Sequence, residues 1–223
     1  MLFRNEGPAL DQLSAAFLSV VIGLFPIVNP LGMAPVFLNL TEDASSEARA
    51  ALARRVAVGC FLLMVGSFFF GSSVLAFFGL TIPAVRVAGG LVVLAAGWRM
   101  LQQGDDAPHR HNQSRLPDPV VLTRAFFPLT MPLTVGPGTI SVAIALGAKS
   151  VQGSGAVFWA LGGLLGCLAL AGIIYLCYRF AERVLGVLGQ AGTDVVLRLS
   201  AFILLCLGVQ IIWMGLDSMI RSS

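Results

Sequence analysis

Charge is scarce in this chain. Only 11% of its 223 residues are Asp, Glu, Lys or Arg, less than half the roughly 25% that coats a soluble domain. An ordinary water-facing surface is therefore excluded. With 57% hydrophobic residues and a mean hydropathy of +0.89, lipid is the natural solvent. The apolar stretches also lack acids, since all 11 Asp and Glu residues lie at or beyond their ends; this rules out a buried carboxylate proton relay. Histidine is confined to His109 and His111, in a polar loop with no other ligand nearby. The four cysteines, Cys60, Cys167, Cys177 and Cys206, sit in apolar runs without a Cys-x-x-Cys spacing and read as small packing residues. No metal site and no cofactor is expected. A membrane-embedded enzyme would need an acid, histidine or metal cluster in the spans, so none is expected. The net charge of +3 is scattered between apolar runs and offers no nucleic-acid surface.

What is present is a succession of long apolar runs, at about 12–40, 56–79, 82–101, 120–147, 156–178 and 195–217. They show no strand alternation, and an open sheet edge cannot face lipid, so each is read as a helix. The expectation is an all-α polytopic membrane protein of six transmembrane helices in one membrane domain, with a cytoplasmic loop at about 102–119. The first run follows Glu6 and Asp11 as well as Arg4, and is too long for a signal peptide. Basic residues set the orientation. Ten lie between spans 1–2, 3–4 and 5–6 or at their edges, and four (Arg4, Arg86, Lys149 and Arg221) lie on the other side. Both termini are expected outside, in the periplasm for a cell inner membrane.

The most informative feature is a duplicated proline motif. An offset of 102 residues carries Pro26, Pro30 and Pro35 onto Pro128, Pro132 and Pro137, and also Phe25 onto Phe127 and Leu31 onto Leu133. At a proline frequency of about 5%, three such coincidences at a given offset arise by chance about once in ten thousand tries. Three spans separate the copies, so the second enters the membrane from the opposite side. The chain reads as two inverted three-helix repeats, about 10–101 and 120–218, with proline-broken first helices. Val85-Arg86-Val87 and Leu197-Arg198-Leu199 suggest a match between the third helices. Each proline removes a backbone donor and costs about 3 kcal/mol inside a helix. Such breaks survive in a membrane only inside protein or beside a watery cavity. Matched broken helices in inverted repeats are how many secondary transporters build a midplane site.

Phe25-Pro26-Ile27-Val28-Asn29-Pro30-Leu31-Gly32, Pro132-Leu133 with Gly136-Pro137-Gly138, and Arg86-Val87-Ala88-Gly89-Gly90 resemble the MarC family. That family is also described as the six-helix neutral amino acid transporter family, within the LysE-like superfamily. The resemblance covers essentially the whole chain. It implies an inner-membrane protein and, for some relatives, transport of small neutral amino acids such as glycine and alanine.

The candidate substrate-binding residues are Asn29, Pro30 and Gly32 in the first copy, with Thr130, Thr134, Gly136, Gly138 and Thr139 in the second. Pro26, Pro35, Pro128, Pro132 and Pro137 are the candidate break residues. Arg86 and Arg198 are candidates for gating or for contacting a carboxylate; interfacial snorkelling is the alternative. Asn29 has a second reading too, as a cap on a freed backbone group. The function expected is secondary transport or export of small neutral amino acids or similar metabolites. The partners would be a small zwitterionic substrate and the lipid bilayer, with a homo-oligomer left open. The other class is a membrane protein without a transport role, either a redox carrier of the DsbD type or a regulatory or structural subunit. The redox reading would need a reactive cysteine pair at the breaks, where this chain has prolines.

Overall fold

The structure, a computed structural model, describes residues 9–41, 44–102, 125–148 and 155–222. The polar loop with His109 and His111 lies outside these residues. Among the described residues there is no strand, and the helices are α1 (Ala9–Val28), α2 (Pro30–Leu40), α3 (Ser46–Phe77), α4 (Ile82–Gln102), the π-helical α5 (Ala125–Thr134), α6 (Pro137–Gly147), α7 (Ala156–Arg179) and α8 (Ala181–Ser222). This is an all-α polytopic membrane protein. Five stretches are long and apolar enough to cross a membrane: Leu10–Leu38, Ser46–Phe77, Ile82–Gln102, Ala156–Arg179 and Ala191–Arg221. Each follows an apolar run of the sequence.

Local chemistry explains where the helices start and stop. Ser45 caps α3 by accepting from Ala48 N at 3.1 Å, so this helix begins ten residues before the apolar run. Gly79, at φ +66°, lets the chain reverse between α3 and α4, a conformation that glycine adopts without steric cost. Gly189, at φ +64°, likewise breaks α8 into a leading segment and the span that follows.

Packing reveals the repeat more clearly than residue identity does. Leu52, Ala53, Val56, Ala57, Cys60, Met64 and Phe68 are buried on α3. Gly162, Gly163, Gly166, Cys167, Leu170, Ile174 and Tyr178 are buried on α7, each 110 residues later. The two helices bury the same face with almost no identity in sequence. Their neighbours match as well: α3 packs on α5 and α6 as α7 packs on α1 and α2, while α4 packs on α6 as α8 packs on α2.

The third helices, α4 and α8, cross antiparallel at glycines. Gly97 lies against Ala201 O and Leu205 N, Gly208 against Leu94 N, and Gly90 against Gly208 O and Ile212 N. Shifting by 111 residues maps each of the contacts Gly97–Leu205 and Gly97–Ala201 onto a contact of Gly208. The packing offset is therefore 111, and it pairs Arg86 with Leu197 rather than with Arg198. The arginine match in the sequence is one residue out of register, because backbone approach at Gly97 and Gly208 sets the register.

Helix directions agree with inversion. Going up α7 from Gly162 to Gly166, the neighbours on α1 run from Leu13 and Ala16 to Phe17 and Val20, so these two are parallel. Along α3, Gly59 meets Thr130 and Gly71 meets Ile144, so α3 runs parallel to the α5–α6 pair. End to end, α5 and α6 thus supply the remaining passage through the bundle. Gln12 lies beside Gly155 and Gly215 beside Pro83, which puts the first and last helical turns at the same end.

The glycine crossing makes a direct test. A Cβ at Gly208 would stand 2.6 Å from Leu94 N, whereas one at Gly186 would meet nothing within 4 Å. Gly208→Leu is expected to cost about 2 kcal/mol or more through overpacking, and Gly186→Ala to be neutral or slightly stabilising. Thermal unfolding of the two variants in detergent checks this.

Candidate functional site

The first break falls at Asn29, between α1 and α2. Pro30 has no N–H to give Pro26 O, so the helical ladder loses a bond there. Asn29 takes up a left-handed conformation at φ +47°, the only described residue other than glycine with positive φ. Asparagine tolerates this better than most residues. Its Oδ1 accepts from Gly32 N at 3.2 Å, so it is the N-cap of α2, with Pro30 at the first helical position. Its Nδ2 is buried and has no hydrogen-bond partner among the described residues. A buried donor left unpaired costs about 1–3 kcal/mol. The α2 N-terminus is packed closely, since a Cβ on Gly32 would stand 2.4 Å from Asn29 Nδ2 and 2.8 Å from Ser200 Oγ.

The second break is longer. Phe127 and Met131, the residues before Pro128 and Pro132, are extended inside α5, as proline demands of the residue preceding it. Threonine hydroxyls bond back to the backbone across these turns. Thr130 Oγ1 donates to Ala125 O and Thr134 Oγ1 to Leu129 O, both at 2.7 Å. After the bend at Val135, Gly136 is extended and precedes Pro137, the first residue of α6. Gly136 provides no side-chain cap, so the first-turn N–H groups of Gly138 and Thr139 have no capping oxygen from it.

These geometries place the prolines differently from the sequence reading. Pro26 and Pro35 lie inside α1 and α2, and the chain breaks between them. The two half-helices α2 and α6 have 11 residues each and both open on proline. The structural equivalence is thus Pro30 with Pro137, an offset of 107 rather than 102, and Asn29 corresponds to Gly136 rather than to Met131. The cause is that the second copy takes nine residues from Pro128 to Pro137, with Met131 extended among them, where the first takes four from Pro26 to Pro30.

Around both breaks the environment is small and weakly polar. Gly32 on α2 faces Ser200 Oγ on α8, and Gly89 on α4 faces Ser141 Oγ on α6. Ser200 stands 111 residues after Gly89, so the same position of each third helix meets a half-helix of the bundle. Gly138 lies against Val93 and the Gly89 carbonyl. Between the breaks Ile27 and Val142 pack with Val93 and Leu204. Thr130, Thr134 and Thr139 are all buried. Arg86 is partly buried near the start of α4 and Arg198 is exposed on α8, at opposite ends of that helix pair, so the structure does not bring the two arginines together.

Sequence reasoning missed Ser200, Gly89 and Tyr178. Tyr178 Oη meets Thr134 Oγ1 at 2.8 Å, and since the Thr134 proton goes to Leu129 O, the tyrosine is the donor. Its ring stacks on Phe37 of α2, with centroids 4.5 Å apart and planes at 11°. The repeat offset of α3 and α7 would have found it, as the counterpart of buried Phe68. The cysteines are free thiols, Cys60 and Cys167 buried and Cys206 exposed. Among the described residues no group of histidine, cysteine and acids could hold a metal ion.

Comparison with known proteins bears on this arrangement. The model of the family described as "MarC family integral membrane protein" matches residues 14–220. The UPF0056 inner membrane protein MarC of Salmonella typhimurium is 33% identical over 219 residues, covering 96% of this chain and 99% of that protein. The protein of the same name from Escherichia coli O1:K1 is 34% identical over the same shares. No solved structure matches the chain.

The double role of Asn29 separates in a mutational series. Asn29→Gly keeps the positive φ but loses the cap, and is expected to cost up to about 1 kcal/mol. Asn29→Ala loses the cap and strains the backbone, and should cost roughly 2–3 kcal/mol. Equal stability of the two variants in detergent unfolding would mean that the left-handed conformation is not what this position requires.

Proposed function

The chain belongs to the MarC family of integral membrane proteins, and we propose that it is an inner-membrane secondary transporter or exporter. Its cargo, in this reading, is a small neutral amino acid or a similarly small zwitterionic metabolite, and access alternates around the broken helices α1–α2 and α5–α6. The observation that carries the proposal is the pair of 11-residue half-helices, each opening on a proline at matching places of two inverted repeats. A helix N-terminus presents unpaired N–H groups and a positive dipole end, which suit a carboxylate. Gly138 and Thr139 N–H groups at α6, and Asn29 Nδ2 at α2, are the donors in question. Gly32 is packed against Asn29 and Ser200, and Gly138 against Val93 and Gly89, so cargo would reach these donors only when α8 or α4 moves away from the half-helix. Freed carbonyls, such as that of Pro26, would take the ammonium, and the lack of a nearby acid favours a neutral amino acid over a cationic one.

The inner-membrane assignment rests on the names of the relatives. The orientation rests on the ten-to-four distribution of basic residues, and the placing of both described ends at one end of the bundle is consistent with it. We read the chain as a carrier rather than an enzyme, with no cofactor required.

Reconstitution tests the proposal. In proteoliposomes the wild type should move glycine and alanine down an imposed gradient of substrate or ions, and Asn29→Gly should lose at least tenfold of that flux while inserting normally. Failure of the wild type to move any amino acid under either gradient would remove the substrate assignment. A reporter fused at Ser223 should be active only as a periplasmic fusion, and cytoplasmic activity would invert the topology.

A further inference from the structure

One end of the bundle carries a contact that its repeat-related counterpart lacks. Arg49, the fourth residue of α3, donates from Nη2 to Thr41 O at 2.9 Å and to Ala44 O at 3.3 Å, just beyond the C-terminus of α2. Trp159, the fourth residue of α7, donates from Nε1 to Leu146 O at 3.3 Å, in the last turn of α6. The two residues are repeat mates doing the same work, since each satisfies carbonyls at the end of a half-helix. Arg49 does something more. Through Nη1 it also pairs with Glu182 at the start of α8, which belongs to the other repeat.

Beneath that ion pair lies a small cleft lined by Ser46, Arg49, Ala50, Tyr178, Arg179 and Glu182. Tyr178 is fully buried. From there it reaches Thr134 of the second break and stacks on Phe37 of the first half-helix. Two successive layers, Arg49–Glu182 and Phe37–Tyr178, thus join repeat one to repeat two at this end. The positions related to Tyr178 and Arg49 at the far end are Phe68 and Trp159. Phe68 fills a notch at Gly163 and backs onto Gly147, and neither side chain carries a charge.

We propose that the end bearing Arg49 is closed by a two-layer gate, an outer ion pair over an inner aromatic latch, while the positions related to them at the opposite end, Phe68 and Trp159, make only uncharged contacts. This rests on the transport reading, in which the repeats part at one face at a time. For cargo to reach the breaks from this side, Glu182 must leave Arg49 and Tyr178 must leave both Thr134 and Phe37. Repeat-related half-helices would then be released by chemically different locks. Salt weakens the outer lock at one face and has no matching charge to act on at Phe68 and Trp159.

Cys60 reports on the gate. It is fully buried on α3, next to Gly59, which meets Thr130 of the second break. In a chain carrying Cys167→Ala, Cys177→Ala and Cys206→Ala it is the sole thiol, and its labelling by a membrane-impermeant maleimide can be timed from either side of sealed vesicles. A separate Glu47→Cys variant identifies the Arg49 side. Glu182 is largely exposed, at 62%, so Glu182→Ala should fold; it is expected to raise the labelling rate about two- to fivefold, as befits a partly solvated ion pair. Tyr178→Phe keeps the stack but loses the buried hydrogen bond, and should raise the rate about fivefold. Both gains should come only from the Arg49 side. Unchanged labelling in both variants, or a gain from the other side, overturns the gate. Labelling needs no cargo, so the two ideas fail separately. Amino acid flux with unchanged labelling sinks the gate, and gated labelling without flux in the wild type sinks the transport reading.

Discussion

In lipid every backbone N–H and C=O must find a partner within the protein, and this structure is organised around two places where the helical ladder fails to supply one. An unsatisfied group in hydrocarbon costs several kcal/mol. Each break is therefore buried in the bundle, and side chains bond to the backbone around it: Asn29 Oδ1 accepts from Gly32 N, the Thr130 and Thr134 hydroxyls donate to Ala125 O and Leu129 O, and Arg49 and Trp159 donate to carbonyls at the ends of the half-helices. What these bonds leave over is as telling. Asn29 Nδ2 is the buried donor still without a partner at the first break, and Gly136 offers no cap at the second.

A second requirement is that α4 and α8 come close enough to hold the two halves in register. Gly90, Gly97 and Gly208 allow backbone to meet backbone, as small residues do in membrane helix pairs, where no hydrophobic force draws helices together. Residues flanking this crossing, Gly89 and Ser200, then face Ser141 and Gly32 on the half-helices. The register of the crossing thus positions the small polar contacts beside both breaks. The asymmetry lies further out, where Arg49 and Glu182 bridge the halves at one end and Trp159 bonds within its own half at the other.

Much of the fold was legible in the chain because the bilayer imposes a length and a polarity on every span. Six apolar runs, the hairpin at Gly79 and the existence of an inverted repeat follow from composition and spacing. The internal alignment was less legible. Prolines suggested an offset of 102 and arginines one of 112, whereas packing sets about 107 for the half-helices and 111 for α4 and α8. The reason is that a proline marks a lost hydrogen bond, not the place where the helix stops. Pro26 and Pro35 are absorbed within helices, and the chain turns left-handed at Asn29 between them.

By itself, then, the sequence determined the solvent of this protein, the number and order of its apolar runs, and the presence of two proline-rich interruptions on opposite sides of a repeat. Those are properties of local composition, which lipid reads residue by residue. Only the tertiary structure decided which residues meet. Tyr178, one of two tyrosines in the fifth apolar run, becomes the donor to Thr134 and the partner of Phe37 because α7 buries the same face as α3 with the membrane direction reversed. Ser200 joins Gly32 for a similar reason. Contacts between halves depend on the two-fold relation of whole helices, and that relation is set by backbone approach at glycines, which carry no side-chain pattern for a reader of sequence to follow.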